Sequence, residues 1–339
     1  MPFATTPVPA IADWARSAEQ AGASSVWLGE AWRELSIPLT AAALSTERVQ
    51  IGSGVMQIFP AHPVLTALQA AQLQEVSNER FALGLGVGAG FVVERWFGVP
   101  FERPLRRMRE FVAVVRGVLE SREAGPFSYD GEIFRIRKYR MSLPESRAAV
   151  PIFIAAVGPR MLELAGEIAD GVMLGGIHSP QYLEEVRRRV AIGAERAGRD
   201  LANFQIHAFL ICATSEDSGN AHDLARASIA YSTQYGHYMS RLEEEGFAEV
   251  AGRIAEHVRA HEQDEALALV TDDMVERFAV AGTEEECRRQ AARLEGTVDE
   301  IVLTLVPFRI SEQEAADGVL AAARALSAGA ADRGTLSRL

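Results

Sequence analysis

The residues from Ile152 to Val172 could do chemistry through their backbone. Ile152-Phe153-Ile154-Ala155-Ala156 is an apolar run. Val157-Gly158-Pro159 then makes a turn, a helix opens near Arg160, and Ala169-Asp170-Gly171 leads into the next apolar run. A tight strand-turn-helix of this kind leaves backbone N–H groups free at the helix start, where a phosphate or another anion is favoured. A second glycine run, Leu83-Gly84-Leu85-Gly86-Val87-Gly88-Ala89-Gly90, allows two readings. Gly84-x-Gly86-x-x-Ala89 fits a dinucleotide fingerprint, but no acidic strand end follows at the usual distance. The other reading is that Gly84 and Gly86 let their strand pack closely. Gly88, Ala89 and Gly90 lie past the strand, where open N–H groups can cradle a phosphate.

The elements that position these turns are short apolar runs alternating with amphipathic helices. Strands are predicted at Ser25–Leu28, Val49–Val55, Phe81–Val87, Pro151–Ala156, Gly171–Leu174, Phe204–Ala213 and Glu300–Val306. Helices are predicted at Val8–Ala21, Pro63–Ser77, Arg103–Glu120, Arg160–Ile168, Pro180–Ala197 and Thr283–Leu294. Strands apolar on both faces and separated by helices imply a parallel sheet covered on both sides. The expected fold class is α/β, a (β/α)8 TIM barrel with insertions, whose remaining strand is a stub at Phe3–Thr5. Residues 125–143 read as an inserted hairpin turning at Asp130-Gly131. Residues 215–281 read as a helical, charge-rich insertion. Tyr231, Tyr235 and Tyr238 within it have the spacing of one buried helix face. No linker or repeat interrupts the chain, so a single domain over 1–339 is expected.

Bulk properties narrow the alternatives. The 339 residues are 48% hydrophobic and carry a net charge of −12, which argues against a nucleic-acid partner. No apolar stretch is long enough to predict a membrane span, and no secretory signal is expected at the N-terminus. Cys212 and Cys287 are the two cysteines; they form no CxxC pair, so ordinary buried thiols in the cytoplasm are expected. The histidines form no metal-binding spacing, and no metal is expected.

In α/β barrels the site lies at the carboxyl ends of the strands. That singles out Glu30 and Trp32, Gly54 to Gln57, Gly88 to Phe91, Ala156 to Pro159, Gly175 to His178, and Val306 to Phe308.

The segments Ile152–Val172, Ile51-Gly52-Ser53-Gly54-Val55-Met56 and Phe59-Pro60-Ala61-His62-Pro63 closely resemble the luciferase-like superfamily. The resemblance is to its coenzyme F420-dependent branch, which includes the methylene-tetrahydromethanopterin reductases. It implies hydride transfer between the deazaflavin F420 and a small organic substrate. FMN with oxygen, as in luciferase-like monooxygenases, is the alternative, and a non-catalytic flavin-binding barrel is the second. It implies a cis peptide at Gly54-Val55, and cofactor contacts from Gly54, Val55, Met56, His62, Gly88, Ala89, Gly90, Ala156, Val157, Gly158 and Gly175. His62 reads equally well as a helix-entry residue with a local hydrogen bond.

Relatives usually carry Asp-His at the positions of Glu30 and Ala31, and Gly-Thr-Gly-Glu where this chain has Gly88-Ala89-Gly90-Phe91. Glu30 is therefore the candidate catalytic group, a proton donor or a hydrogen-bond partner of the cofactor ring; an ion pair with Arg33 or another rim arginine is the structural alternative. Arg103, Arg106, Arg107 and Arg109 read as a solvated face or as contacts for an acidic cofactor tail. A homodimer is expected.

Overall fold

The computed structural model describes residues 4–30, 33–143, 149–294 and 296–331. In chain order the elements are α1 (Val8–Gln20), β1 (Ser25–Leu28), α2 (Ser36–Ser45), β2 (Gln50–Ser53), β3 (Met56–Gln57), α3 (Pro63–Val76), β4 (Phe81–Gly86), α4 (Gly90–Trp96) and α5 (Pro104–Ala124). A hairpin of β5 (Phe127–Asp130) and β6 (Arg135–Tyr139) follows, then β7 (Ile152–Ala155), α6 (Pro159–Ile168), β8 (Gly171–Leu174), α7 (Pro180–Ala197) and β9 (Gln205–Thr214). Next come α8 (Ser218–Ser232), α9 (Gly236–Glu244), α10 (Ala248–Ala260), α11 (Gln263–Ala268) and α12 (Asp272–Phe278). The last elements are β10 (Ala279–Gly282), α13 (Glu284–Ala291), β11 (Glu300–Thr304) and α14 (Glu312–Ala331).

The chain divides into two compact units, each described by itself. One holds Trp27–Met173 and Arg188–Phe204; the other holds Met1–Val26, Leu174–Arg187 and Gln205–Leu339.

In the first unit β2, β4, β7 and β8 lie side by side and parallel. Leu83 faces Ile152, and Ile154 faces Val172. Every residue of β4 is buried, as expected of a strand covered on both faces. The Trp27 and Phe153 rings meet edge to face, 5.6 Å between centroids. Prolines at the first helical position start α3, α5 and α6, where the missing N–H costs nothing.

The hairpin over 125–143 is antiparallel, as the sequence implies. It is fastened by Glu110, a buried carboxylate on α5. Glu110 accepts the backbone N–H groups of Glu132 (3.1 Å), Ile133 (2.9 Å) and Phe134 (3.1 Å). Burial pushes the Glu110 pKa up, but these three amides outweigh it and hold the carboxyl below its usual range.

In the second unit β9 is the central strand. It pairs in parallel with β11 through residues 207–211 and with β10 through 211–214. Leu210, Cys212 and Val280 form a core with Cys287, Ala322 and Leu326 of α13 and α14. Both thiols are free and buried. Near the start of the strands, buried His207 lies 3.4 Å from the Glu300 carboxylate, which also accepts from the Ser25 hydroxyl.

Three sequence expectations change. The segment 215–281 is not helical to its end, because its last three residues enter β10 and pair with β9. A four-residue strand of Ala, Val and Gly has no period to betray it. The run Val49–Val55 breaks after Ser53 and re-enters the sheet as β3. Tyr231 and Tyr238 belong to two helices, with Tyr235 at the break between them. Phe3, which opens the expected first-strand stub, lies outside the described residues, as do Ala31 and Trp32; Ala4, Thr5 and Thr6 form bends.

Because the folded Glu110 pKa is lowered, its contribution is complete above the ordinary carboxylate pKa and is lost as pH falls through the folded value. Glu110→Gln is expected to cost about 1–3 kcal/mol at pH 7, the scale for disturbing buried hydrogen bonds. The gap to wild type should close in acid. Urea unfolding from pH 7 to pH 3 checks this, and a gap independent of pH would contradict it.

Candidate active site

The site residues of the first unit gather where β2 gives way to β3. Gly54 N donates to Leu28 O at 2.7 Å, and Glu30 N donates to Val55 O at 3.2 Å. The chain is thus tied to the end of β1 on both sides of the Gly54–Val55 peptide. That peptide is cis, as the resemblance implies. Met56 and Gln57 then pair with Leu85 and Gly86 of β4.

This crossing explains the glycines of β4. Ser53 Oγ donates to Gly84 O and accepts from Gly84 N, both at 2.9 Å. A Cβ on Gly84 would fall 2.0 Å from Ser53 O, and one on Gly86 would fall 2.4 Å from Val55 Cγ2. Gly84 and Gly86 are therefore packing glycines beneath the β2–β3 crossing, and the dinucleotide-fingerprint reading does not hold. Gly88 has φ +70°, and a Cβ there would meet Gln57 Oε1 at 2.3 Å. Only glycine fits both demands.

Glu30 leaves the end of β1 and is held by Gln57. Gln57 N donates to Glu30 Oε2 at 2.5 Å, and Gln57 Nε2 donates to Glu30 O at 3.2 Å. No ion pair to Glu30 is present among the described residues. Burial raises the Glu30 pKa, the Gln57 amide opposes that, and the Glu34 charge adds to the rise. Gln57 itself is buried, and its Oε1 has no hydrogen-bond partner among the described residues. Sequence reasoning placed Gln57 at a strand end without a role. Its one signal was a polar residue between Met56 and Ile58.

The two glycine turns leave adjacent strands, since β4 and β7 are paired. Ala89 and Gly90 open α4, and Gly158 precedes α6 with no side chain capping that helix. Ala156 is buried and its N donates to Met173 O at 3.1 Å, while Val157 is half-buried. Gly158 is exposed, and a Cβ built on it meets nothing within 4 Å. There is room at that turn for a group to approach the backbone. His62 caps α3, its Nδ1 accepting from Val64 N at 3.3 Å, and its ring meets Phe134 edge to face.

Gly175 lies in the second unit. A Cβ there would strike the Tyr238 hydroxyl at 2.3 Å, so Tyr238 occupies that space. Burial pushes the Tyr235 and Tyr238 phenols up, and the Tyr231 and Tyr235 hydroxyls are 3.1 Å apart. His178, placed at a strand end by the sequence, is buried with Nε2 3.1 Å from Phe209 O, and burial lowers its pKa.

Comparison with known proteins adds the following. The family described as luciferase-like monooxygenase matches residues 2–300. A 5,10-methylenetetrahydromethanopterin reductase of Methanolobus tindarius is 31% identical over 295 residues, covering 85% of this chain and 87% of the relative. The same-named protein of Archaeoglobus fulgidus is 29% identical over 280 residues, covering 80% and 82%. Among solved structures, the coenzyme F420 dependent tetrahydromethanopterin reductase from Methanopyrus kandleri matches with a TM-score of 0.80 at 25% identity, covering 95% of each chain. The fold class is thus the α/β, TIM-barrel type that the sequence implies.

An acid with a raised folded pKa adds stability below its unfolded pKa and loses it as pH rises through the folded value. Glu30→Gln removes the buried charge. The stability of this variant relative to wild type is expected to rise from pH 4 to pH 8, measured as thermal midpoints across that range. A flat difference would show that Glu30 ionises without penalty.

Proposed function

We propose that this chain, which belongs to the luciferase-like monooxygenase family, is a coenzyme F420-dependent oxidoreductase that moves a hydride between the deazaflavin and a small organic substrate. The observation that carries this reading is the likeness, over 85% of the chain, to a 5,10-methylenetetrahydromethanopterin reductase. The structural likeness to an F420-dependent reductase supports it independently.

The residues present fit such a group. The open backbone at Gly158, where a Cβ would fill free space, supports a phosphate contact by Ala156, Val157 and Gly158. Gly88, Ala89 and Gly90 would hold the same part, and Gly54, Val55 and Met56 would line the ring. Bound there, the deazaflavin supplies a ring carbon that gives or accepts the hydride. The chain's own contribution is position and a proton. Glu30 is half-buried and its pKa is raised, which supports a carboxyl that keeps or returns a proton closer to neutral pH than a solvated acid would. Gln57 holds it through one hydrogen bond to the carboxylate and one to the Glu30 backbone carbonyl.

The test is binding of F420 and of FMN, each followed by fluorescence quenching. F420 should bind and FMN should bind far more weakly. Gly158→Leu should weaken F420 at least tenfold, about 1.4 kcal/mol, without loss of fold. Glu30→Gln should lower turnover roughly 10²-fold, the usual scale for losing a general acid or base. Preference for FMN would overturn the cofactor, and retention of neither would favour a non-catalytic role.

The same reading makes the protein cytoplasmic, homodimeric and independent of nucleic acid. No helix among the described residues is long and apolar enough to cross a membrane. The dimer is supported by Ile37, Leu44, Leu65 and Val76, large apolar side chains exposed on the neighbouring helices α2 and α3. Exposed apolar groups gathered in this way mark association surfaces. Sedimentation should find a dimer for wild type and a monomer for Leu65→Glu; a monomeric wild type would refute the assignment.

A further inference from the structure

The four arginines at the start of α5 are not alike. All stand at or near the positive end of a helix of 21 residues with no acid in its first turn, where cations are disfavoured. Three are compensated. Arg103 and Arg106 both pair with Glu132, at 2.9 and 3.0 Å, and Arg109 pairs with Glu167.

The Arg107 side chain has no ion pair and no hydrogen bond among the described residues. Its nearest acid, Glu110, spends its oxygens on three hairpin amides. The Arg107 guanidinium instead lies over two aromatic rings, 4.7 Å from the Phe59 centroid and 5.6 Å from that of Phe134. Its Nε is buried without a partner. Both rings are themselves buried, so they give the cation a fixed aromatic wall. A guanidinium stacked on aromatic faces keeps its N–H donors directed outward in its own plane, where they match a planar or tetrahedral oxyanion.

The surroundings connect this cation to the glycine turn. Phe59 stacks on Phe101 with 4.7 Å between centroids, and a Cβ on Gly90 would rest 3.5 Å from Phe101. The Glu110 charge acts on this half-buried cation without pairing with it, and Arg103 opposes that attraction, so the guanidinium has no direct counter-ion. An anion would balance it.

We propose that Arg107 is the receptor for an anionic group, a carboxylate or a phosphate, carried by a ligand of this unit. Phe59 and Phe134 orient the guanidinium, and the neighbouring arginines add positive potential without contacting the anion.

The probes are inorganic phosphate and glutarate, titrated at constant ionic strength into the full chain, with binding read from the Nε–H signals of isotope-labelled arginine and from the thermal midpoint. Arg107→Met keeps the packed stem and removes the charge. It should weaken binding at least tenfold, while Arg103→Met, which breaks a pair already formed, should leave it within twofold. Arg107→Lys guards against a folding defect: it keeps the charge, loses the fork, and should bind with intermediate affinity. Arg107-dependent binding of phosphate alone assigns the anion to a phosphate, and of glutarate alone to a carboxylate. Either supports the proposal, as does binding of both. Equal binding by wild type and Arg107→Met, or no binding of either anion by wild type, overturns it. Phosphate binding without F420 binding would reject the cofactor reading and leave this one standing.

Discussion

The first unit is organised by one close approach, the backbone of Ser53 to Val55 lying against β4. Ser53 and Gly84 exchange two hydrogen bonds, and neither Gly84 nor Gly86 has room for a methyl group. Two consequences follow from that contact. The chain leaves the sheet and returns as β3, which brings Gln57 to the Glu30 carboxylate. The same return puts Gln57 Oε1 against Gly88 and so requires a bare Cα at the start of the glycine turn. The acid, the amide that grips it and the turn are thus placed by the packing of one strand crossing on bare glycine backbone.

Much of the fold was legible because buried parallel strands are written as unbroken apolar runs. Phe81–Gly86, Ile152–Ala155 and Gly171–Leu174 could be read directly, as could helices that open on proline. The glycine turns and the strand-end acid were legible too, since position in such a fold assigns them. What failed has physical reasons. Ala279–Gly282 is too short and too small to show a period. The α8–α9 break was hidden by tyrosines whose spacing imitated one helix face. The partners of Glu30 and Arg107 were invisible because Gln57, Phe59 and Phe134 reach them through tertiary packing, which leaves no local pattern. Four arginines in one stretch look equivalent on paper. Only the positions of Glu132, Glu167 and Glu110 separate them.

The second unit spends its buried polar groups differently. His207, Glu300 and Ser25 cluster near the start of the strands, while Tyr231, Tyr235 and Tyr238 gather in contact with one another, with Tyr238 against Gly175. The first arrangement sets the imidazole Nε2 against both the Glu300 carboxylate and the Gln205 side-chain oxygen. In the second, burial holds the protons on the Tyr235 and Tyr238 phenols. Gly175 was assigned to the cofactor from its place in the chain. In the folded protein its missing side chain makes room for a tyrosine from the helical insertion.

The grip of Glu110 on the hairpin has an evolutionary consequence. It reads only backbone N–H groups, which every residue except proline offers. The residues that offer those groups are therefore free to drift without loosening it, but Gly131 is not, since a Cβ there would fall 2.3 Å from Glu110 Oε2. Phe134 is a second exception, because Arg107 lies over its ring. Variability across the hairpin should thus surround one constant glycine and one constant aromatic position.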